Sequence, residues 1–232
     1  MHCLLGEFVR PPTLTAAAAA KLRDAILSGD LAPGSPLREV DLSQFLDISR
    51  GTFREALRLL QEEGLVDIVP HRGASVTRLT PDKVQEICSL RAVLESYAVR
   101  LALQKKAYSE SDLDQMKSLV KRLGELEHEG NILETVRTDM ELHRLMCEKS
   151  AHRLLLQVLD RLRSLHMLFI LNTKLYDSDM TSDEASHQSV LDAVLCGDPE
   201  QGAAVMREHI QQAGAWLLDR MKQVDWEKFN AT

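Results

Sequence analysis

The sequence predicts a mainly α fold with one small β-hairpin, organised as a short front part and an all-α bundle of about six helices behind it. Three observations carry this prediction. Apolar residues recur at helical spacing along most of the chain, and Leu and Ala dominate while aromatics make up only 4%, which favours helices over sheets. Strand-like segments occur once, as Val66-Asp67-Ile68-Val69 and Ala74-Ser75-Val76-Thr77-Arg78 around the turn Pro70-His71-Arg72-Gly73. At Thr80-Pro81 a cap is followed by proline at the first helical position, and from there the pattern is wholly helical.

In order, residues 1–12 lack periodicity and end in Pro11-Pro12, as expected of a loose N-terminal tail. Thr13 to Ser28 reads as a helix with Leu14, Ala18, Leu22, Ile26 and Leu27 inward, stopped by Gly29 and the Ala32-Pro33-Gly34 turn. Two short helices follow, with apolar stripes Leu42-Phe45-Leu46 and Phe53-Ala56-Leu57-Leu60, separated by Asp47-Ile48-Ser49. Ser49 is placed to cap the second, and Gly64 ends it. Domain boundaries are therefore expected at 13–79 and 80–224, with a C-terminal tail at 225–232. The rear helices are expected at 81–106, 109–128, 131–149, 151–175, 181–196 and 199–224, because Ser109/Asp112, Gly130-Asn131, Ser150-Ala151-His152, Asp177 to Thr181 and Gly197-Asp198-Pro199 interrupt the pattern.

Arg50, Arg54 and Arg58 fall four apart, opposite the Phe53-Leu60 stripe, so their guanidinium groups share one helix face. Such a helix fits a DNA major groove with its N-terminal residues toward the bases; arginine forks bond guanine edges or phosphates, and Thr52 can bond a phosphate. The hairpin would carry His71, Arg72 and Gly73 toward the backbone or minor groove as a wing. Taken alone, three arginines four apart describe an ordinary solvated face; the cap, the turn, the glycine stop and the basic wing favour the DNA reading together.

Histidines give the second signal. The stripe of 131–149 is Val136, Met140, His143 and Cys147, with Asp139 one turn before His143; 181–196 carries His187, Val190, Leu191 and Val194; 199–224 carries Val205, His209, Ala213 and Trp216 or Leu217. Three imidazoles thus occupy core-facing slots on three helices. Buried imidazoles need hydrogen-bond partners and a buried Asp needs a counter-charge, and one divalent cation would satisfy all four groups. A single inward histidine is more often a satisfied core residue than a ligand, and His128, His152 and His166 are read that way.

The 232 residues suffice for two modest domains, and 44% hydrophobic with 27% charged residues is an ordinary globular balance. No apolar run approaches the roughly 20 residues of a membrane span, and the start lacks a signal-peptide pattern, so a cytoplasmic protein is expected. Cys3, Cys88, Cys147 and Cys196 are far apart, which argues against a disulfide framework or a thiolate zinc ribbon. The net charge of -7 argues against a general nucleic-acid coat. It is uneven, however: residues 1–80 hold 9 Lys/Arg against 10 Asp/Glu, and the remainder 19 against 25. A near-neutral head with its arginines on one face can still bind phosphate.

Several stretches resemble the winged helix-turn-helix of the GntR family of bacterial transcription regulators: Leu31-Ala32-Pro33-Gly34, Leu37 to Glu39, Ser49 to Leu57, Glu63-Gly64-Leu65-Val66 and Arg72-Gly73. The resemblance implies DNA contacts from Arg50, Thr52 and Arg54 and from the wing tip His71 to Gly73. The chain departs from it at Asp47, where the family usually has Gly, and at Val40, where an Arg is frequent. The rear half resembles the FCD ligand-binding domain of the FadR-like branch through Leu90 to Glu95, Asp139-x3-His143-Arg144-Leu145, His187-x2-Val190 to Val194 and Met206 to Ile210, with Ala151-His152 replacing the usual Gly-Asn. It implies a divalent metal, by default Zn2+ with Ni2+ or Mn2+ as alternatives, held by Asp139, His143, His187 and His209, with a small carboxylate effector completing the coordination. Arg91, and more weakly Arg161, would meet that carboxylate, although an ion pair of Arg91 with Glu95 is an equal expectation. A homodimer on a palindromic operator is implied likewise. Two other functions compete: a regulator sensing the metal alone, and a metallohydrolase activating water at the Asp/His site, for which no adjacent general base is evident.

Overall fold

The structure, a computed structural model, describes residues 13–78, 80–174 and 184–223 and divides into two compact units between Thr77 and Arg78. The first unit comprises α1 (Leu14–Leu27), α2 (Glu39–Phe45), α3 (Arg50–Glu62), β1 (Val66–Val69) and β2 (Gly73–Val76). The second comprises α4 (Pro81–Gln104), α5 (Glu110–Glu129), α6 (Ile132–Glu148), α7 (Arg153–Lys174), α8 (Glu184–Cys196) and α9 (Pro199–Gln223).

In the first unit α1 and α2 pack on α3, whose Phe53, Ala56, Leu57 and Leu60 are buried. Thr13 and Ser49 cap α1 and α3 by accepting from the backbone N–H groups of Ala16 and Thr52. The hairpin is antiparallel with Val66 opposite Val76, and β2 begins at Gly73 and ends at Val76, shorter at its far end than the alternation suggested. Beyond Val76 the two chains stay joined in the same register, Thr77 N–H donating to Leu65 O and the Thr77 hydroxyl to Gly64 O at 2.6 Å. The connection is a β-turn with Pro70 second and His71 third: Arg72 N–H donates to Val69 O, and His71 takes φ 64.

Two stripe residues differ from expectation. Phe45 is 84% exposed and Leu14 60%. On α2 the small Ser43 turns inward instead, with Leu42 and Leu46 half-buried beside it; seven residues form two turns, too short for all three apolar positions to reach the core. Asp47 adopts φ 53, a left-handed conformation that favours glycine and that an aspartate tolerates at a cost.

The second unit is built around the α4–α9 pair, the most extensive helix contact in the chain. Two glycines of α9 let it sit close: a Cβ on Gly214 would lie 2.7 Å from Cys88 Cβ, and one on Gly202 would meet the Leu103 side chain. The main core joins Val99, Met116, Leu142, Val190, Met206 and Ile210 from five helices. Helix starts follow the sequence signals: Thr80 caps α4 ahead of Pro81, and Ser109 and Asp112 form a reciprocal capping box. Ala151 takes φ 54 before α7, where His152 Nδ1 accepts from Leu155 N–H. Cys88 and Cys147 are buried thiols and Cys196 is exposed, whereas Cys3 lies outside the described residues. No helix among the described residues is long and apolar enough to cross a membrane.

Candidate nucleic-acid interface and buried histidine site

The first unit exposes Arg50, Arg54 and Arg58 on one face of α3 and His71, Arg72 and Gly73 at the hairpin tip. Between α3 and the hairpin lies a groove of about 360 Å³, floored by Leu57 and Ile68 and rimmed by Arg38, Arg54, Arg58 and Arg72. Arg38 escaped the sequence reading although it lies in the Leu37-Arg38-Glu39 stretch, because it precedes α2 and belongs to no helical stripe. The basic face is partly self-neutralised: Arg54 pairs with Glu39 at 2.8 Å and Arg58 with Glu55 at 2.6 Å. Such exposed pairs contribute little and exchange readily for phosphate. Arg38, Arg50 and Arg72 face no carboxylate among the described residues and are the more available cations. The Thr52 hydroxyl lies 2.9 Å from Ser49 Oγ, so the cap holds it at the start of the helix.

In the second unit His143 (α6), His187 (α8) and His209 (α9) converge, with ligand atoms within 4.8 Å of one another and all three side chains buried. His143 Nε2 and His209 Nε2 are 3.2 Å apart. Asp139 Oδ1 lies 2.7 Å from His187 Nε2 and 3.7 Å from His143 Nε2. The far nitrogens are committed elsewhere. His143 Nδ1 donates to Glu95 Oε2 at 2.6 Å, Glu95 Oε1 accepts from Arg91 Nε at 2.6 Å, and His209 Nδ1 meets Ser186 Oγ at 2.5 Å. The Glu95 carboxylate can only accept, so it fixes the His143 tautomer with its Nε2 lone pair free, while the Ser186 hydroxyl holds the His209 ring in place and can accept from or donate to its Nδ1.

Burial disfavours ionisation of Glu95, but Arg91 and His143 overcome it and hold its carboxyl well below the usual range. Burial opposes ionisation of Asp139 as well, and His143, the His187 hydrogen bond and Arg91 prevail, so it too is a carboxylate. His209 is pushed down to about 2 by burial and by the neighbouring His143 and His187, which keeps it neutral and ligand-competent. Arg91 and Glu95 are fully buried, so the ion-pair expectation for Arg91 is met through Nε. Arg161 is exposed on α7, away from the buried cluster.

Two further α7 residues belong near this cluster. His166, expected as a satisfied core histidine, is buried, but its Nδ1 has no hydrogen-bond partner among the described residues. Buried Arg163 Nη2 is likewise unpartnered. Of the other histidines, His128 is exposed and His152 caps α7. The sequence marks Glu95 only as a partner for Arg91 and His166 only as a core histidine, and it does not mark Arg163, because on a helical stripe the pattern alone cannot separate a site residue from a packed one.

Comparison with known proteins identifies the chain. Residues 14–76 match the bacterial regulatory proteins of the gntR family and residues 86–212 match the FCD domain. The chain belongs to the GntR family of bacterial transcriptional regulators, in the branch that carries an FCD domain. It is 34% identical over 157 residues to the Bacillus subtilis HTH-type transcriptional regulator YdhC, covering 66% of this chain and 68% of that protein. With the Bacillus subtilis regulator LutR it shares 25% identity over 206 residues, 80% of this chain and 92% of the other. Its fold matches Escherichia coli McbR/YncC with a TM-score of 0.76 at 21% identity, over 90% of this chain and 99% of that one. It is a DNA-binding transcription regulator, and its family and relatives are regulators rather than enzymes.

Proposed function

We propose that this regulator binds a palindromic operator as a homodimer and that a small carboxylate, coordinated to a divalent cation at Asp139, His143, His187 and His209, controls that binding. The observation that carries the proposal is the convergence of three buried imidazoles inside the bundle, with the Asp139 carboxylate beside two of them and with Glu95 and Ser186 holding His143 and His209 from behind. The donor set fits a cation. Nitrogens about 2.0–2.1 Å from a tetrahedral zinc lie about 3.3–3.4 Å apart, close to the 3.2 Å between His143 Nε2 and His209 Nε2. Without a cation, those two atoms could share only one weak N–H···N bond beside a buried carboxylate. Three nitrogens and one oxygen suit Zn2+ by default and admit Ni2+ or Mn2+. Once bound, the cation would supply a Lewis-acidic position for an oxygen ligand, while Arg91, buried beside Glu95, would offer its guanidinium to a carboxylate.

Operator recognition would use Arg38, Arg50, Thr52 and Arg54 at α2 and α3, Arg58 toward the phosphates, and His71 to Gly73 at the hairpin tip. Dimerisation is supported by an exposed apolar surface on adjacent helices: Leu90, Val93 and Tyr97 share one face of α4, and Leu154 and Val158 one face of α7, where the Tyr97 ring meets His152 at 6.2 Å. A two-fold axis through such a self-complementary surface would match operator symmetry.

Metal analysis of protein purified without chelator tests the reading. One divalent ion per chain, lost in His143→Ala and His209→Ala while the variants still bind DNA, is the expected result. A wild-type protein that takes up no ion at micromolar concentration overturns it.

A further inference from the structure

α7 carries a polar pair that the metal site does not use. Its apolar stripe Leu155, Leu159 and Leu162 packs with Leu94, Ala98 and Cys147 of α4 and α6, and continues at helical spacing into Arg163 and His166. That spacing carries the stripe, with half-buried Arg163 and buried His166, on toward the α4–α6 seam that holds Arg91, Glu95 and His143. The electrostatics agree: after burial itself, Arg91, Asp139, Glu95 and His143 are the groups that act on the His166 imidazole, and Arg163 and Arg91 both act on Cys147, one turn beyond His143.

Each residue of the pair is only partly satisfied. Arg163 gives Nη1 to Asp160 at 2.9 Å, an exposed carboxylate, and its buried Nη2 has no acceptor among the described residues. His166 is 3% exposed and its Nδ1 is without a partner. A buried guanidinium nitrogen and a buried imidazole nitrogen three residues apart are costly unless something binds them. Charge identifies what would. With a divalent cation in place, Asp139 leaves one excess positive charge, and the Arg91–Glu95 pair adds none. One carboxylate would neutralise that excess, and Arg163, whose own partner is screened by solvent, invites a second.

Resting on the proposed metal-carboxylate site, we infer that Arg163 and His166 form a second anchor for the same ligand, so that the effector is a short dicarboxylate with one end at the cation and Arg91 and the other at α7. Arg163 sets the preference for a second anion, and His166 adds a hydrogen bond that a hydrocarbon end cannot satisfy.

The test is calorimetric titration of the zinc-loaded full chain with malonate, succinate and glutarate, each against the monocarboxylate of equal carbon number: propionate, butyrate and valerate. At least one dicarboxylate is expected to bind tenfold or more tightly than its partner. Arg163→Gln should reduce that ratio to below threefold without changing zinc content or the affinity for the monocarboxylate, Arg163→Lys should retain part of it, and His166→Phe should lower it. Equal affinities for the two classes in the wild type overturn the inference even if no variant folds, as does a ratio that Arg163→Gln leaves unchanged. A wild type that holds zinc but prefers monocarboxylates refutes the second anchor and spares the metal site; one that holds no zinc refutes both.

Discussion

Replacing Glu95 by Gln separates the proposed metal site from the packing around it. Glu95 accepts from His143 Nδ1 through one oxygen and from Arg91 Nε through the other, both at 2.6 Å, with both charged side chains almost inaccessible to solvent. A glutamine keeps the volume but retains one acceptor; its amide nitrogen then confronts the N–H of either His143 or Arg91. Two losses follow. Arg91 becomes a buried charge without its counter-ion, which costs about 3–5 kcal/mol of folding stability. His143 loses the carboxylate that fixes its tautomer and raises its basicity, which costs about 10–100-fold in metal affinity. Denaturant unfolding of metal-free protein measures the first, and competition with a chromogenic zinc chelator measures the second. The double variant Arg91→Met/Glu95→Gln removes the orphaned charge, so it should recover most of the stability and none of the metal affinity. Glu95→Gln protein that folds and still binds zinc within twofold of the wild type would refute the proposed role of this carboxylate.

Other outcomes follow from the same structure. Arg50→Ala and Arg38→Ala should each weaken binding to a specific operator by about 1–3 kcal/mol in a fluorescence-anisotropy titration, with bundle metal content unchanged. Metal-free protein should lose stability in acid: His166 and His209 are held neutral by burial, so below their ordinary pKa near 6.5 the unfolded chain takes up protons that the folded chain refuses. Each contributes a slope of about 1.4 kcal/mol per pH unit below about pH 6, present at neutral pH and lost as pH falls, readable from denaturant midpoints across pH 4–8. Asp47→Gly should raise stability by up to about 1 kcal/mol, because φ 53 suits glycine and Asp47 is exposed. Gly214→Ala should destabilise the bundle by about 1–3 kcal/mol, since the new methyl would meet Cys88 Cβ, close to the helix backbone and unable to swing aside.

The helices were legible because caps and breakers punctuate them: Ser49, Thr80-Pro81, Ser109/Asp112 and Gly197-Asp198-Pro199 all act in the structure near where the sequence placed them. The inward direction of His143, His187 and His209 was legible for a related reason, since each replaces an aliphatic residue in a helical stripe. That Arg91 bonds Glu95 four residues later, and that Glu95 also reaches His143 across 48 positions, was half-visible: i,i+4 spacing suggests the first, and no local pattern encodes the second. Phe45 defeated the stripe argument because a seven-residue helix can turn a serine inward and leave its phenylalanine outside. Arg163 was invisible and His166 legible only as a core histidine for the opposite reason: in sequence they continue a packed stripe, and only the lack of partners for Nη2 and Nδ1 among the described residues distinguishes them.

One unit exposes arginines on α3 and at the hairpin tip, the other gathers three buried imidazoles, and the proposed function has the second govern the first. Operator affinity of the full chain, measured metal-free, with zinc, and with zinc plus the tightest-binding carboxylate, tests this directly. A change of at least tenfold between the zinc-loaded and carboxylate-bound forms, abolished in His143→Ala while the variant's own operator binding persists, is the predicted result. Operator affinity that stays the same in all three states of the wild-type protein, with the site demonstrably filled, would contradict it.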